Sequence, residues 1–212
     1  MSKNYKPQVK DKETEEVVEA EVTKRNTDVI AEVYRGGMLT GLAIIDAVKT
    51  GEIEISDFDT KRINPNSYNV RLNNTLKIYI DPVLDCRKHN ETKTIVIPEE
   101  GFTLQPGELY IGSTMEYIHT DEYIPQIDGR SSSGRLGINI HATAGFGDIG
   151  FRGTFTLEIT VPKPVIVVPG MEIAQIAFMT PYGDSSIKYD GRYQGQIDPT
   201  ESKFEETKKV YL

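Results

Sequence analysis

The chain has 212 residues, 24 Lys and Arg against 32 Asp and Glu, and a net charge of -8. That is enough length for one buried core plus an extension, and too acidic a balance for a duplex-binding surface, which rests on clustered cations. One cysteine, Cys86, excludes an intrachain disulfide, and neither a signal peptide nor a bilayer-spanning apolar run is visible. The cytoplasm is therefore the expected location, with no nucleic-acid or membrane partner.

Residues 1–37 are dense in Lys and Glu, carry scattered valines (Val17, Val18, Val22, Val29, Val33) and end in Gly36-Gly37. Their apolar face is thin, so a flexible charged extension is expected. In MLTGLAIIDAVKTGEIEI (38–55) the apolar spacing is helical, Thr40 offers a capping oxygen and Gly51 a stop, predicting one short helix. From Ile63 onward the pattern changes to short apolar runs between Pro and Gly: LKIYIDP, KTIVIPEEG, FTLQPGELYIGSTM, INIHATAG, TFTLEIT, VIVVPG and MEIAQIAFM. Strands at that spacing predict an all-β fold, a distorted barrel or jelly roll. After Tyr182 a stretch rich in Gly, Asp, Ser and Tyr reads as an irregular tail that folds over a site.

Chemistry concentrates between Gly129 and Ile159, in GRSSSGRLGINIHATAGFGDIGFRGTFTLEI. Arg130, Ser131, Ser132, Ser133 and Arg135 bring guanidinium forks, hydroxyls and backbone N–H groups into one tight turn, which suits the oxygens of a nucleoside triphosphate. In TFTLEIT alternate side chains face opposite ways, so Phe155, Leu157 and Ile159 share one face and Thr154, Thr156, Glu158 and Thr160 the other. Glu158 is then either a solvated strand charge or a functional carboxylate. Asp148 lies among glycines that let the backbone pass close to a ligand, or serves its own turn. Arg135 has the alternative of an ordinary surface ion pair. Arg152 and His141 stay open between ligand contact and a structural role.

The residues also exclude mechanisms. No GxxxxGK[ST] loop is present. Deamination through a zinc-bound hydroxide needs an HxE and a CxxC, and one Cys with His89, His119 and His141 cannot supply them. If the chain deaminates cytosine, a carboxylate must activate the water, and Glu158 is the candidate.

Several segments together resemble the deoxycytidine triphosphate (dCTP) deaminases of the trimeric deoxyuridine triphosphatase (dUTPase) superfamily, from about Met38 to Phe204. RINPNSYNVRL (62–72) resembles an early strand signature, GRSSSGRLG the phosphate-binding motif, HATAGFGDIGFRG a third motif and TLE the catalytic strand. PGMEIAQIAF (169–178) and RYQGQ (192–196) resemble later segments that close the site. The resemblance implies a dUTPase-like domain over 38–204, a tail over 205–212 and a homotrimer whose sites are shared between subunits. It implies Glu158 as proton-transferring group with Ser131 and Arg135 around the reacting base, and Asp148 at the sugar 3′-hydroxyl. Substrate contact is implied for Arg130, Ser132, Ser133, Gly134, Ala144, Thr156, Leu157, Gln175, Tyr182, Arg192 and Gln196. Arg192 stands where the family usually has Lys, a fork in place of a point charge.

On this resemblance dCTP is the substrate, dUTP the product or intermediate and dTTP a candidate inhibitor. Mg²⁺ is expected, held mainly by the triphosphate. TAGFGDIGF and the tail RYQGQIDPTESKF resemble the branch that also cleaves the triphosphate to dUMP and diphosphate, where Asp148 orients the attacking water. A monofunctional deaminase and a regulatory nucleotide-binding relative are the alternatives. The second is disfavoured by the intact set Ser131, Arg135, Asp148 and Glu158, and a pure dUTPase by the presence of Glu158.

Overall fold

In the computed structural model of the protein, the described residues are 37–206. The expectations for residues 1–36 and 207–212, most of the charged extension and most of the 205–212 stretch, lie outside them. Helix α1 (Gly41–Thr50) forms where its caps are written: Thr40 Oγ1 accepts from the Ala43 N–H at 3.4 Å, and Gly51 takes the left-handed turn at φ 81°. Its buried face is Gly41, Ile44 and Ala47.

Ten strands follow: β1 (Glu54–Ile55), β2 (Tyr68–Arg71), β3 (Thr75–Tyr79), β4 (Thr92–Val96), β5 (Phe102–Leu104), β6 (Tyr110–His119), β7 (Ile124–Gly129), β8 (Arg152–Ile159), β9 (Val165–Val167) and β10 (Glu172–Met179). A second helix of 5 residues, α2 (Ser131–Arg135), follows β7 directly. All strand pairs among the described residues are antiparallel. The largest sheet runs β1-β6-β3-β4 with β8 also on β6, the second runs β2-β10-β7, and β5 pairs β9. The expected all-β architecture with one short N-terminal helix is the one adopted, and the sheets stay open, with no closed ring of strands among the described residues.

The core fills with the apolar face of each strand: Phe155, Leu157 and Ile159 from β8, Ile173, Ala174, Ile176 and Phe178 from β10, and Leu72, Leu76, Leu104 and Ile118 around them. Each large side chain so buried contributes about 1.5–3 kcal/mol. Packing Phe155, Leu157 and Ile159 inward leaves Thr156 and Glu158 half exposed on the opposite face.

INIHATAG does not form the expected strand. Asn139 makes one isolated bridge to Thr160, and the Ile140 carbonyl accepts from the Glu158 N–H at 2.8 Å. The next donor, the Ala142 N–H, goes to the Glu158 carboxylate instead of to a neighbouring carbonyl. A side chain has taken the place of a ladder partner, so pairing stops there. Among the described residues no helix is long and apolar enough to cross a membrane.

Candidate active site

Glu158 is fixed through its backbone on both edges of β8. Its N–H bonds Ile140 O at 2.8 Å, and in register it faces Ile111 of β6. Its Oε2 accepts from the Ala142 N–H at 2.8 Å. Oε1 has no partner among the described residues, and no cation pairs with the carboxylate. On the same face Thr156 Oγ1 accepts from Gln196 Nε2 at 3.2 Å, and that amide also donates to Thr154 O at 2.8 Å. The tail therefore docks on the strand that carries Glu158, and Gln196, expected at the substrate, spends its amide donor on that docking. Its Oε1 is buried without a partner. Leu157 is fully buried.

The glycine-rich turn lies along β7. Ile127 donates to Gly145 O and Gly147 to Pro125 O, both at 2.8 Å. At Gly147 an added Cβ would stand 2.8 Å from Pro125 Cγ and 2.9 Å from Phe155 Cε1, so only glycine passes there. Ala144 and Asp148 are exposed, and the Asp148 carboxylate makes no bond to the described residues. His141 Nε2 lies 3.4 Å from Asp128 Oδ1, while its Nδ1 is buried with no partner.

The serine turn is split in use. Ser131, Ser132, Gly134 and Arg135 are exposed; Ser133 is buried and donates to Ile173 O at 2.9 Å, tying α2 to β10. Arg130 is already held: its Nη1 donates to Glu172 O at 2.8 Å and lies 3.0 Å from Glu172 Oε2. Asn69 Nδ2 donates to the same Oε2 at 2.9 Å, and Asn64 Nδ2 donates to Asn69 Oδ1 at 2.7 Å. Ser67 donates to Gln175 Oε1 at 2.8 Å, and Gln175 Nε2 donates to Gly129 O at 3.0 Å. The segment RINPNSYNVRL thus brackets the entry to the serine turn. Its resemblance marked it, but its alternation alone could not say which side chains would do this.

Arg135 makes no ion pair or hydrogen bond through its side chain with the described residues, and so does not pair with Glu158. Tyr182 is exposed. Arg192 Nη1 donates to Lys203 O at 2.5 Å within the tail. Gln175 opens onto a hollow of about 130 Å³ shared with Met38, Ser67, Gln126 and Asp128. A larger one, about 430 Å³, lies between β3–β4 and residues 197–201, and none of the expected site residues lines it.

One charged cluster joins Arg62 and Arg71 of RINPNSYNVRL to a carboxylate that carries no sequence signal. Glu116 of β6 is fully buried and accepts from Arg62 Nη1 at 2.5 Å, Arg71 Nε at 2.7 Å and the Arg71 N–H at 2.8 Å. Arg71 Nη2 also reaches Asp57 Oδ2 at 2.5 Å. Burial alone would push the Arg71 guanidinium down; its hydrogen bonds to Glu116 and Asp57 overcome this and hold it above its ordinary value. Burial is the largest cause that pushes the Tyr68 phenol beside this cluster up.

Comparison with known proteins gives a family likeness over the same core. Residues 38–180 match the family described as dCTP deaminase-like. A dUMP-forming dCTP deaminase of Clostridium acetobutylicum is 49% identical over 157 residues, 74% of this chain and 90% of that protein. Its counterpart in Cytophaga hutchinsonii is 47% identical with the same coverage. Among solved structures, 2′-deoxycytidine 5′-triphosphate deaminase from Agrobacterium tumefaciens has a TM-score of 0.56 at 21% identity. It covers 69% of this chain and 49% of that one, a likeness of fold.

Proposed function

Because the chain belongs to the dCTP deaminase-like family, we propose that it converts dCTP and water to dUTP and ammonia. It then converts dUTP and a second water to dUMP and diphosphate in the same site. Relatives named as dUMP-forming support both halves. The observation that carries the mechanism is the half-exposed Glu158 carboxylate, anchored at one oxygen and open at the other.

In the first step a water over C4 of the cytosine gives a proton to Glu158 as its oxygen bonds C4. Glu158 delivers that proton toward N3; the C4–N4 bond then breaks and ammonia leaves with a proton returned through the same carboxylate. Ser131 holds the water and Arg135 orients the carboxylate. Both are exposed in the subunit, and Arg135 has no side-chain partner among the described residues. This supports a homotrimer in which a neighbouring subunit supplies them. Among the described residues no three His, Cys, Asp or Glu side chains stand together as a metal site. With its one Cys the sequence holds no CxxC, and the proposed step is written with Glu158 activating the water.

In the second step Asp148 orients a water toward the α-phosphorus. The new P–O bond forms as the bond to the bridging oxygen breaks, and diphosphate departs. A magnesium ion held mainly by the triphosphate oxygens and water, as that cation prefers, would offset the substrate's charge. Arg130, Ser132 and Gly134 line the phosphates on this reading, with Arg192 and Tyr182 closing from the tail. A free, exposed Cys86 makes no demand for an oxidising compartment, and the cytoplasm is the proposed location. Purified protein given dCTP and Mg²⁺ should yield ammonia, dUMP and diphosphate with little free dUTP. Stoichiometric dUTP without diphosphate would leave a plain deaminase, and no ammonia would remove the reading.

A further inference from the structure

The tail makes a second attachment, to the turn that carries Asp148, and Gln194 is its centre. Gln194 Nε2 donates to Gly150 O at 2.8 Å and to Tyr189 O at 3.0 Å, while its Oε1 accepts from the Arg152 N–H at 2.9 Å. On either side of it the Gly195 N–H bonds Arg152 O at 2.8 Å and the Tyr189 N–H bonds Ile149 O at 2.7 Å. Residues 149–152, the limb on which the Asp148 turn ends, thus have their carbonyls at 149, 150 and 152 taken by one short stretch of tail. The Tyr189 ring adds an edge contact to Phe151 at 5.8 Å.

Asp148 has no side-chain bond of its own to the described residues, so its aim depends on the backbone that carries it. Glu158 does not depend on the tail in this way. Its N–H and its carboxylate are held by Ile140 and Ala142, and the tail's nearest contacts to it along β8 are those of Gln196 with Thr154 and Thr156, outside the 189–195 stretch. The two carboxylates of the two-step reading are therefore anchored separately.

We infer that Gln194 is a positioning residue for Asp148, and that docking of residues 189–195 sets up cleavage of the triphosphate while leaving deamination largely untouched. The inference rests on the two-step function proposed above. A docked tail is needed only after ammonia has left, so an undocked one releases dUTP early.

The test compares full-length wild type, Gln194→Ala and Gln194→Glu on dCTP with Mg²⁺, measuring ammonia and diphosphate in the same reaction. In Gln194→Ala the ratio of diphosphate to ammonia should fall by about tenfold or more, within the range that a small misplacement of a reacting group brings, and dUTP should accumulate. Gln194→Glu keeps the acceptor for the Arg152 N–H but loses both donors, so its ratio should fall between the two. Hydrogen exchange at the Arg152 amide should speed up in Gln194→Ala and stay slow in Gln194→Glu, a readout independent of turnover. An unchanged ratio, or ammonia and diphosphate falling in parallel, would overturn the inference. Wild type that releases ammonia without diphosphate would remove the two-step reading, and the inference with it.

Discussion

Glu116 and Glu158 sit in paired strands of one sheet, and their surroundings differ in what is left for a ligand to do. Glu116 is fully buried on β6, its two oxygens taken by three donors from Arg62 and Arg71. Glu158 on β8 is half exposed and has one donor, a backbone N–H. A carboxylate can accept at about four positions; the first spends them on holding β2 against β6, the second keeps most of them open. The two arginines of the serine turn differ in degree: Arg130 has one nitrogen, Nη1, tied to Glu172, which leaves its other donors for the proposed phosphate contact, and Arg135 is tied to no described residue. Saturated charges hold this fold, and the open ones are those to which the proposed function assigns the substrate.

Breaking the saturated side should cost the most stability. Glu116→Ala removes the buried carboxylate on which Arg62 and Arg71 converge, leaving Arg62 only its weaker contacts to Asp57, and should lower unfolding free energy by about 3–5 kcal/mol, the range for one lost member of a buried pair. Denaturant titration measures it, and a loss below about 1 kcal/mol would mean the cluster is no anchor. On the open side, Asp148→Asn should slow diphosphate release by on the order of a hundredfold. Its unfolding midpoint should hardly move, because no described residue bonds that carboxylate. Coupled detection of diphosphate against ammonia separates the two effects.

Smaller effects sharpen the comparison. Thr156→Ala removes one of the two acceptors of Gln196 Nε2 and should cost about 0.5–1.5 kcal/mol, with a mild loss of activity as the tail loosens. Smallest is Tyr123→Phe, which deletes the bond from the phenol to Glu52 Oε2 at 2.7 Å. Burial first and then Glu52 push that phenol up to about 12 from 10.0. A folded value above the unfolded one means the contribution is present in full below pH 10.0 and fades toward about 12. The wild type should therefore lose more stability than Tyr123→Phe over that interval, as thermal unfolding at stepped pH would record.

The strands were legible because β8 and β10 alternate cleanly, and α1 because Thr40 and Gly51 bracket it. INIHATAG misled because its period is that of a strand, while the Glu158 side chain claims the donor that would have continued the ladder. Glu116 was invisible for a related reason. In STMEYI the apolar Met115 faces out and the charged Glu116 faces in, the reverse of what hydrophobic patterning reads, and only Arg62 and Arg71 arriving from β2 and the turn before it make that placement tolerable. Of the site, the exposed chemistry of Ser131, Arg135, Asp148 and Glu158 could be named from motifs. The side chains that hold Arg130 and the backbone after Asp148, namely Asn69, Glu172 and Gln194, act through contacts far apart in sequence and carry no local period.

The most direct test of the open-carboxylate account is ammonia release by Glu158→Gln, read beside its unfolding midpoint and its binding of dCTP. The amide keeps the shape and can still accept from Ala142, but it cannot carry the proton from water to the base. The account predicts a folded protein that binds dCTP and releases ammonia about two orders of magnitude more slowly, or worse. Ammonia release near the wild-type rate from that folded, dCTP-binding variant would contradict it.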